Sequence, residues 1–184
     1  SRVSEYNGRQ KAGEGMRPKQ MSVCFSGYRP EKLPWGENEA DPRCEDLKKR
    51  LYEAVCSACE EGYAHFICGM ARGADLYACE AALAARERYP HITVESAIPC
   101  PTQADGWTEG ERTRWRSLVA RCDFETVVQA RYAPGCMQRR NRYMVEHSGR
   151  IIAVFDGQDG GTKRTVEYAM RQGLEVVLLP PAEG

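Results

Sequence analysis

At 184 residues and 20.7 kDa the chain has room for one full hydrophobic core and an extension, and too little for two ordinary domains. Lys+Arg and Asp+Glu each number 26, so the formal net charge is zero; that argues against a general nucleic-acid coat or a polybasic membrane binder, while leaving room for a local basic face. No apolar run reaches the length of a membrane span and the N-terminus carries no signal-peptide core, so a cytoplasmic protein is expected.

Residues 1–20 are polar, glycine-bearing and without periodicity, and read as a flexible extension, with the folded domain at 21–182. Met21 to Ser26 is a short apolar strand that stops at Gly27-Tyr28-Arg29-Pro30. Asp41-Pro42 opens a helix, Asp as cap and Pro at the first helical position, with Leu47, Leu51, Val55, Ala58 and Cys59 on one stripe and Gly62 at its end. His65 to Cys68 is a buried strand that breaks at Gly69-Met70-Ala71-Arg72-Gly73-Ala74-Asp75 and restarts as a helix to Arg88. A strand–glycine–helix junction leaves backbone N–H groups unpaired at the positive end of the helix dipole, which suits a phosphate. Arg72 is placed to add a bidentate charge, and Asp75 to fix the helix start.

Ile92 to Ile98 forms the next strand, and Thr108 to Glu111 has capping-box spacing before a helix with Trp115, Leu118, Val119 and Cys122 inward. Glu125 to Ala130 is a weaker strand, Met137 to His147 a helix, and Ile151 to Phe155 a strongly apolar strand ending at Asp156-Gly157. Gly160-Gly161-Thr162 leads into the last helix, and Val176 to Leu179 is the last strand. The expected fold is α/β: a single doubly wound, mainly parallel sheet of about six strands with helices on both faces, because the best strands are continuous apolar runs. In such a sheet ligands bind beyond the strand carboxyl ends, where strand order reverses; the turns at Gly27, Gly69 and Gly157 to Gly161 all fall there.

The nine cysteines are odd in number and scattered through strands and helices, which fits small core residues in a reducing compartment rather than a disulfide framework. Cys56 and Cys59 have the spacing of half a zinc site, with no second pair to complete it, and His65, His91 and His147 show no ligand spacing, so no metal is expected. No Ser/His/Asp or Cys/His nucleophilic set is present. No strand is followed by the dinucleotide fingerprint Gly-x-Gly-x-x-Gly, and Thr162 and Arg164 stand where a Walker loop needs glycine and Ser/Thr.

The segment from Gly69 to Asp75 resembles the Gly-x-Ala-Arg-Gly-x-Asp segment of DprA/SMF proteins. Ser26 to Pro30, Trp107-Thr108-Glu109, Cys122 to Val128, Arg139 to Val145 and Val154 to Thr162 resemble, in order, the YpsA-like branch of the SMF/DprA–LOG (SLOG) superfamily. The resemblance implies a Rossmann-like fold whose glycine loops bind nucleotides or nucleotide-derived ligands of the NAD or ADP-ribose kind. Superfamily members bind single-stranded DNA, sense NAD-derived signals, or cleave nucleoside monophosphates at the N-glycosidic bond. The hydrolases carry Pro-Gly-Gly-x-Gly-Thr-x-x-Glu; here Asp159 replaces the proline, Lys163-Arg164 replaces Gly-Thr, and Glu167 keeps register with the glutamate only when Gly160-Gly161 is aligned.

The expected ligand contacts are Gly27, Tyr28, Arg29, Gly69, Met70, Ala71, Arg72, Gly73, Gly160, Gly161 and Thr162, with the glycines and Thr162 as donors to phosphate and the arginines as counter-charges. Asp156 either accepts from a ribose hydroxyl or caps the following turn, and Asn141 either bonds a base or buttresses a loop. The first expectation is a nucleotide-binding or sensing domain that needs no cofactor and has no chemistry of its own. The second is a nucleotide N-glycosidase, which needs Glu167 or Glu80 near the ribose. The third is a single-strand DNA binder using Arg139, Arg140 and Arg142, with Arg112, Arg114, Arg116 and Arg121, and stacking on Tyr132 or Tyr143; the same arginines also read as an ordinary solvated face. A small-molecule nucleotide is the expected partner, single-stranded DNA or a second copy of the chain the alternatives, and a membrane is not expected.

Overall fold

In the computed structural model, which describes residues 2–5 and 17–182, seven parallel strands form one sheet. They are β1 (Arg2–Glu5), β2 (Ser22–Gly27), β3 (His65–Cys68), β4 (Thr93–Ile98), β5 (Phe124–Val127), β6 (Arg150–Val154) and β7 (Glu175–Leu179), in the spatial order β1-β5-β4-β3-β2-β6-β7. The helices are α1 (Pro42–Glu60), α2 (Ala74–Arg88), α3 (Glu109–Arg121), α4 (Cys136–Glu146) and α5 (Gly161–Arg171). The fold is the Rossmann-like α/β sheet expected from the continuous apolar runs.

Those runs are apolar throughout because each strand feeds two cores. Val23, Phe25, Phe66, Cys68, Ile152 and Val154 point to the core under α1, α2 and α3. Their neighbours Cys24, Ile67, Ile151 and Ala153 point to the core under α4 and α5. The two-residue period of the strand places successive side chains on opposite faces, so both faces of these runs are apolar. All nine cysteines are free thiols and buried, as small core residues.

The sheet has one strand more than the sequence suggests. The extra strand, β1, lies in the segment read as a flexible extension; it runs beside β5, with Arg2 opposite Phe124 and Glu5 opposite Val127. Its Val3 is 64% exposed, so the backbone ladder rather than an apolar face holds it, and no hydrophobic period announces it. The rest of that reading falls largely on residues 6–16, outside the described residues.

The expected caps are made. Asp41 accepts from the Arg43 N–H at 2.9 Å ahead of Pro42. Thr108 and Glu111 form a reciprocal capping box, at 3.2 and 3.1 Å. One polar set is buried inside the sheet: His65 contacts Thr93 and Glu95 through its two ring nitrogens, each at 2.7 Å, and the Tyr143 hydroxyl donates to Glu95 at 2.5 Å. Among the described residues no helix is long and apolar enough to cross a membrane.

Candidate functional site

Strand order reverses at β2, which has β3 on one side and β6 on the other, so consecutive connections leave in opposite directions. Beyond the carboxyl ends of these strands lies a cavity of about 820 Å³, walled by the loops after β2, β3 and β5, the start of α2, and α4 and α5. That volume falls within the usual range for small-molecule sites.

Local sequence fixes these walls. α2 starts at Gly73, whose φ of +85° an L side chain rarely adopts, and the Ala74 N–H donates to the Tyr28 carbonyl at 3.1 Å. A Cβ at Gly73 stands 2.7 Å from that carbonyl oxygen, so α2 can dock against the end of β2 only with bare backbone there. Tyr28 in turn holds the loop after β6: its hydroxyl donates to Asp156 Oδ1 at 2.7 Å and accepts from the N–H groups of Asp156 and Gln158. The phenol has no hydrogen-bonding capacity left for a ligand.

Two helices begin at the cavity wall without a side-chain cap. α4 starts at Gly135 and Cys136, and α5 at Gly160, Gly161 and Thr162. Their orphan N–H groups and dipoles favour an anion. The Lys32 ammonium donates to the Asp159 carbonyl beside Gly160, tying the loop after β2 to the start of α5.

The cavity is strongly cationic. Arg29, Lys32, Arg140, Arg142, Arg164 and Arg171 line it. Arg164, Thr165, Tyr168 and Arg171 recur at helical spacing and present one face of α5. At 1.5 Å per residue, the wall from Gly161 to Arg171 runs roughly 15 Å. The guanidiniums of Arg142 and Arg171 lie 5.2 and 5.8 Å from the Tyr168 ring centre. None of Arg29, Arg142, Arg164 and Arg171 has a carboxylate partner among the described residues, whereas Arg43, Arg50, Arg72, Arg86, Arg88, Arg114 and Arg150 each do. Arg112, Arg116, Arg121, Arg131 and Arg139 have no such partner among the described residues either and lie outside the cavity, so what distinguishes these four is that they share one cavity lining.

At its floor sit two buried charges. Arg140, 3% exposed, donates to the Gly69 carbonyl and through Nε to Asn141 Oδ1 at 2.8 Å; burial lowers its pKa and Asp75 partly opposes this. Asp75, 7% exposed, accepts from the Ala71 N–H at 3.2 Å. Burial raises its pKa against the opposing pull of Arg140, that N–H and Arg29. Both side chains pass so close to Gly69 that a Cβ there meets Arg140 Nη1 at 2.8 Å and Asp75 Oδ2 at 2.9 Å.

Of the residues singled out from sequence, Gly27, Tyr28, Arg29, Ala71, Asn141, Gly161 and Thr162 line this cavity. Gly69, Met70, Gly73 and Gly160 build the turns behind it; Met70 is fully buried with a φ of +65°. Arg72 points elsewhere, held by Glu31, Glu37 and Glu111 at 3.0, 3.3 and 3.4 Å. Asp156 is exposed and occupied by Tyr28, which, ahead of the opposing effect of burial, holds its pKa below the usual range. Glu80 is paired with Arg114 and Glu167 is exposed; neither lines the cavity. The arginines of α3 do not join those of α4 in one groove, because α3 packs on the opposite face of the sheet. Tyr132, Arg140 and Arg142, named from sequence for a DNA strand, line the cavity too, whereas Lys32, Asp75, Arg164, Tyr168 and Arg171 are not among the expected ligand contacts, although the spacing from Arg164 to Arg171 marks a helix face. Among the described residues no group of three or more His, Cys, Asp or Glu is arranged to hold a metal ion.

The chain matches the model of the YspA SLOG family over residues 23–176. UPF0398 proteins of Bacillus thuringiensis (strain Al Hakam) and Bacillus cereus (strain AH187) are each 26% identical over 154 residues, covering 82% of this chain and 83% of theirs. Among solved structures, DNA processing protein A (DprA) from Streptococcus pneumoniae superposes with a TM-score of 0.58 at 19% identity, over 88% of this chain and 51% of that one. DprA from Helicobacter pylori, described for its single-stranded DNA binding mode, superposes with a TM-score of 0.59 at 16% identity, over 89% and 66%. At these identities the likeness is one of fold, and the chain spans about half of the first protein and just under two thirds of the second.

Proposed function

Given that this chain belongs to the YspA SLOG family, we propose that it binds a phosphate-bearing nucleotide or nucleotide-derived ligand in the cavity at the β2/β6 reversal. The observation that carries this reading is the set of four cavity arginines without carboxylate partners, in a cavity that also holds the uncapped starts of α4 and α5. Anions are the ligands such a surface favours. Gly161 and Thr162 supply N–H and hydroxyl donors to one phosphate, Arg29 and Arg164 its counter-charge, and Arg142 and Arg171 reach a second group along α5.

The experiment is a calorimetric titration of the protein with AMP, ATP, NAD and ADP-ribose, with chromatography of the recovered ligand for released base. Saturable binding that weakens in Arg29→Ala and Arg164→Ala is the expected result, and absence of binding by every one of these ligands overturns the reading. Free base in the recovered ligand makes the protein an N-glycosidase.

A second reading is single-stranded DNA, favoured by the Tyr132 ring, 69% exposed at the cavity rim beside the arginines. Its signature is an oligonucleotide affinity that falls steeply with salt, where a free nucleotide is affected far less.

A further inference from the structure

Phosphates account for the cavity's cations but not for its carboxylates. Only Glu31 and Asp75 among the described lining residues are acidic, and Glu31 is already held by Arg72 at 3.0 Å. Asp75 is different: it is more than nine-tenths buried, it makes one hydrogen bond, and that bond goes to Oδ2. Its other oxygen has no hydrogen-bond partner among the described residues and belongs to a side chain that lines the cavity. The buried side-chain atoms left without a partner among the described residues are Ser148 Oγ and Arg150 Nε, so this Asp75 oxygen is not sealed in the interior but keeps access to solvent. In a pocket made for anions it repels the ligand's phosphates, so its position marks where the ligand carries something else.

The surroundings narrow what that is. Arg29 and Arg140 both act on Asp75 electrostatically, so a cationic group such as an amine is repelled from the same spot. What remains is an uncharged donor. Resting on the nucleotide reading above, we propose that Asp75 reads the sugar: its free carboxylate oxygen accepts hydrogen bonds from the vicinal hydroxyls of a ribose, so the site selects ribonucleotides over deoxyribonucleotides. The phosphate is adjacent, on Arg29 and the start of α5, and Ala71 beside Asp75 keeps the floor small enough for the ring to approach. The reading moves the sugar contact from Asp156, which is spent on Tyr28, to the buried carboxylate in the first turn of α2.

The test compares ADP, GDP, UDP and CDP with their 2′-deoxy forms, and with pyrophosphate, by calorimetric titration of the wild-type protein, Asp75→Asn and Asp75→Ala. The expected result is that each ribose form the protein binds does so roughly ten- to a hundredfold more tightly than its deoxy form, the range for a hydrogen bond to a charged group. Both variants then lose this preference while keeping their affinity for pyrophosphate. Equal binding of ribose and deoxyribose forms by the wild-type protein overturns the inference and leaves the nucleotide site standing, and needs no variant to fold. Discrimination that follows the base instead of the sugar overturns it too. Failure of every nucleotide and of pyrophosphate to bind overturns the site itself and the sugar reading with it.

Discussion

The Tyr28 hydroxyl donates to Asp156 across the point where strand order reverses, at 2.7 Å, and the same oxygen accepts from two backbone N–H groups of the loop after β6. One phenol therefore fixes the position of the turn that leads to Gly160, Gly161 and Thr162. Tyr28→Phe removes all three bonds while keeping the ring against Phe155, 6.0 Å away between centroids. The expected cost is about 1–2 kcal/mol of stability, since the released groups lie partly in water. Nucleotide affinity should fall by more than that cost explains, because the phosphate donors lose their frame. Urea denaturation and calorimetry on the same sample separate the two effects; an unchanged affinity means the loop holds its shape without Tyr28.

Glu95 makes the interior sensitive to acid. Burial pushes its pKa up, but the bonds and charge from His65, with Tyr143 and Thr126, more than offset this and hold it below the usual carboxylate range. A carboxyl depressed in the fold stabilises above its ordinary value and loses that contribution as pH falls through its lowered folded value. Stability should therefore drop in the acid range below about pH 4.3, and Glu95→Gln should flatten that part of the curve. Glu95→Ala, which strands His65 and Tyr143 in the core, should cost about 3 kcal/mol or more at neutral pH. Denaturant midpoints measured between neutral pH and the acid range check both statements.

Asp75 works in the opposite sense. Burial raises its pKa despite Arg140, the Ala71 N–H and Arg29, so the fold disfavours its ionised form. A carboxyl raised in the fold costs stability once pH exceeds its ordinary value. Asp75→Asn should therefore stabilise the empty protein at neutral pH, and the advantage should shrink as pH falls and vanish below about 3.9, where both states become protonated. A gain in melting temperature accompanied by weaker nucleotide binding is the pattern of a residue kept for use rather than for stability. A variant less stable than the wild type at every pH assigns Asp75 to the scaffold.

Gly73→Ala tests the docking of α2 on β2. It forces a side chain into a φ of +85° and places a Cβ 2.7 Å from the Tyr28 carbonyl oxygen. A loss of at least about 1–3 kcal/mol is expected from the backbone conformation alone. The comparison is Gly62→Ala, where φ is +100° but nothing lies within 4 Å of the added carbon. The difference between the two variants in denaturation midpoint reports the crowding of the added carbon against the Tyr28 carbonyl, Pro30 and Arg29.

Much of this architecture is legible in the chain because burial on both faces of a sheet leaves a blunt signal. Val23 to Phe25, Phe66 to Cys68 and Ile151 to Val154 are apolar at every position, and the helix caps at Asp41 and Thr108 are local in sequence. β1 carries no such signal, since its register with β5 is held by backbone groups that any residues possess. The site divides along the same line. Gly27, Tyr28 and Arg29 are readable because they end a strand. The fate of Arg72 is decided by Glu31, Glu37 and Glu111, each more than thirty positions away, and no local pattern reports such pairings. Arg164 and Arg171 are visible as a helix face, but a net charge of zero conceals that their partners are missing.

The buried thiols give this protein a built-in clock. Each of its nine free cysteines sits in a known layer: Cys24 and Cys68 in the sheet, Cys44, Cys56 and Cys59 on α1, Cys79 on α2, Cys122 at the end of α3, Cys136 at the start of α4, and Cys100 in the loop after β4. An alkylating reagent can reach them only when the surrounding element opens. Pulse labelling read by mass spectrometry therefore reports the opening of β2, β3 and the helices α1 to α4 in one experiment, without an introduced probe. Cys136, at the cavity wall, is the one thiol whose labelling a bound nucleotide should slow directly, while slowing at Cys56 and Cys59 measures how far that binding tightens the rest of the molecule.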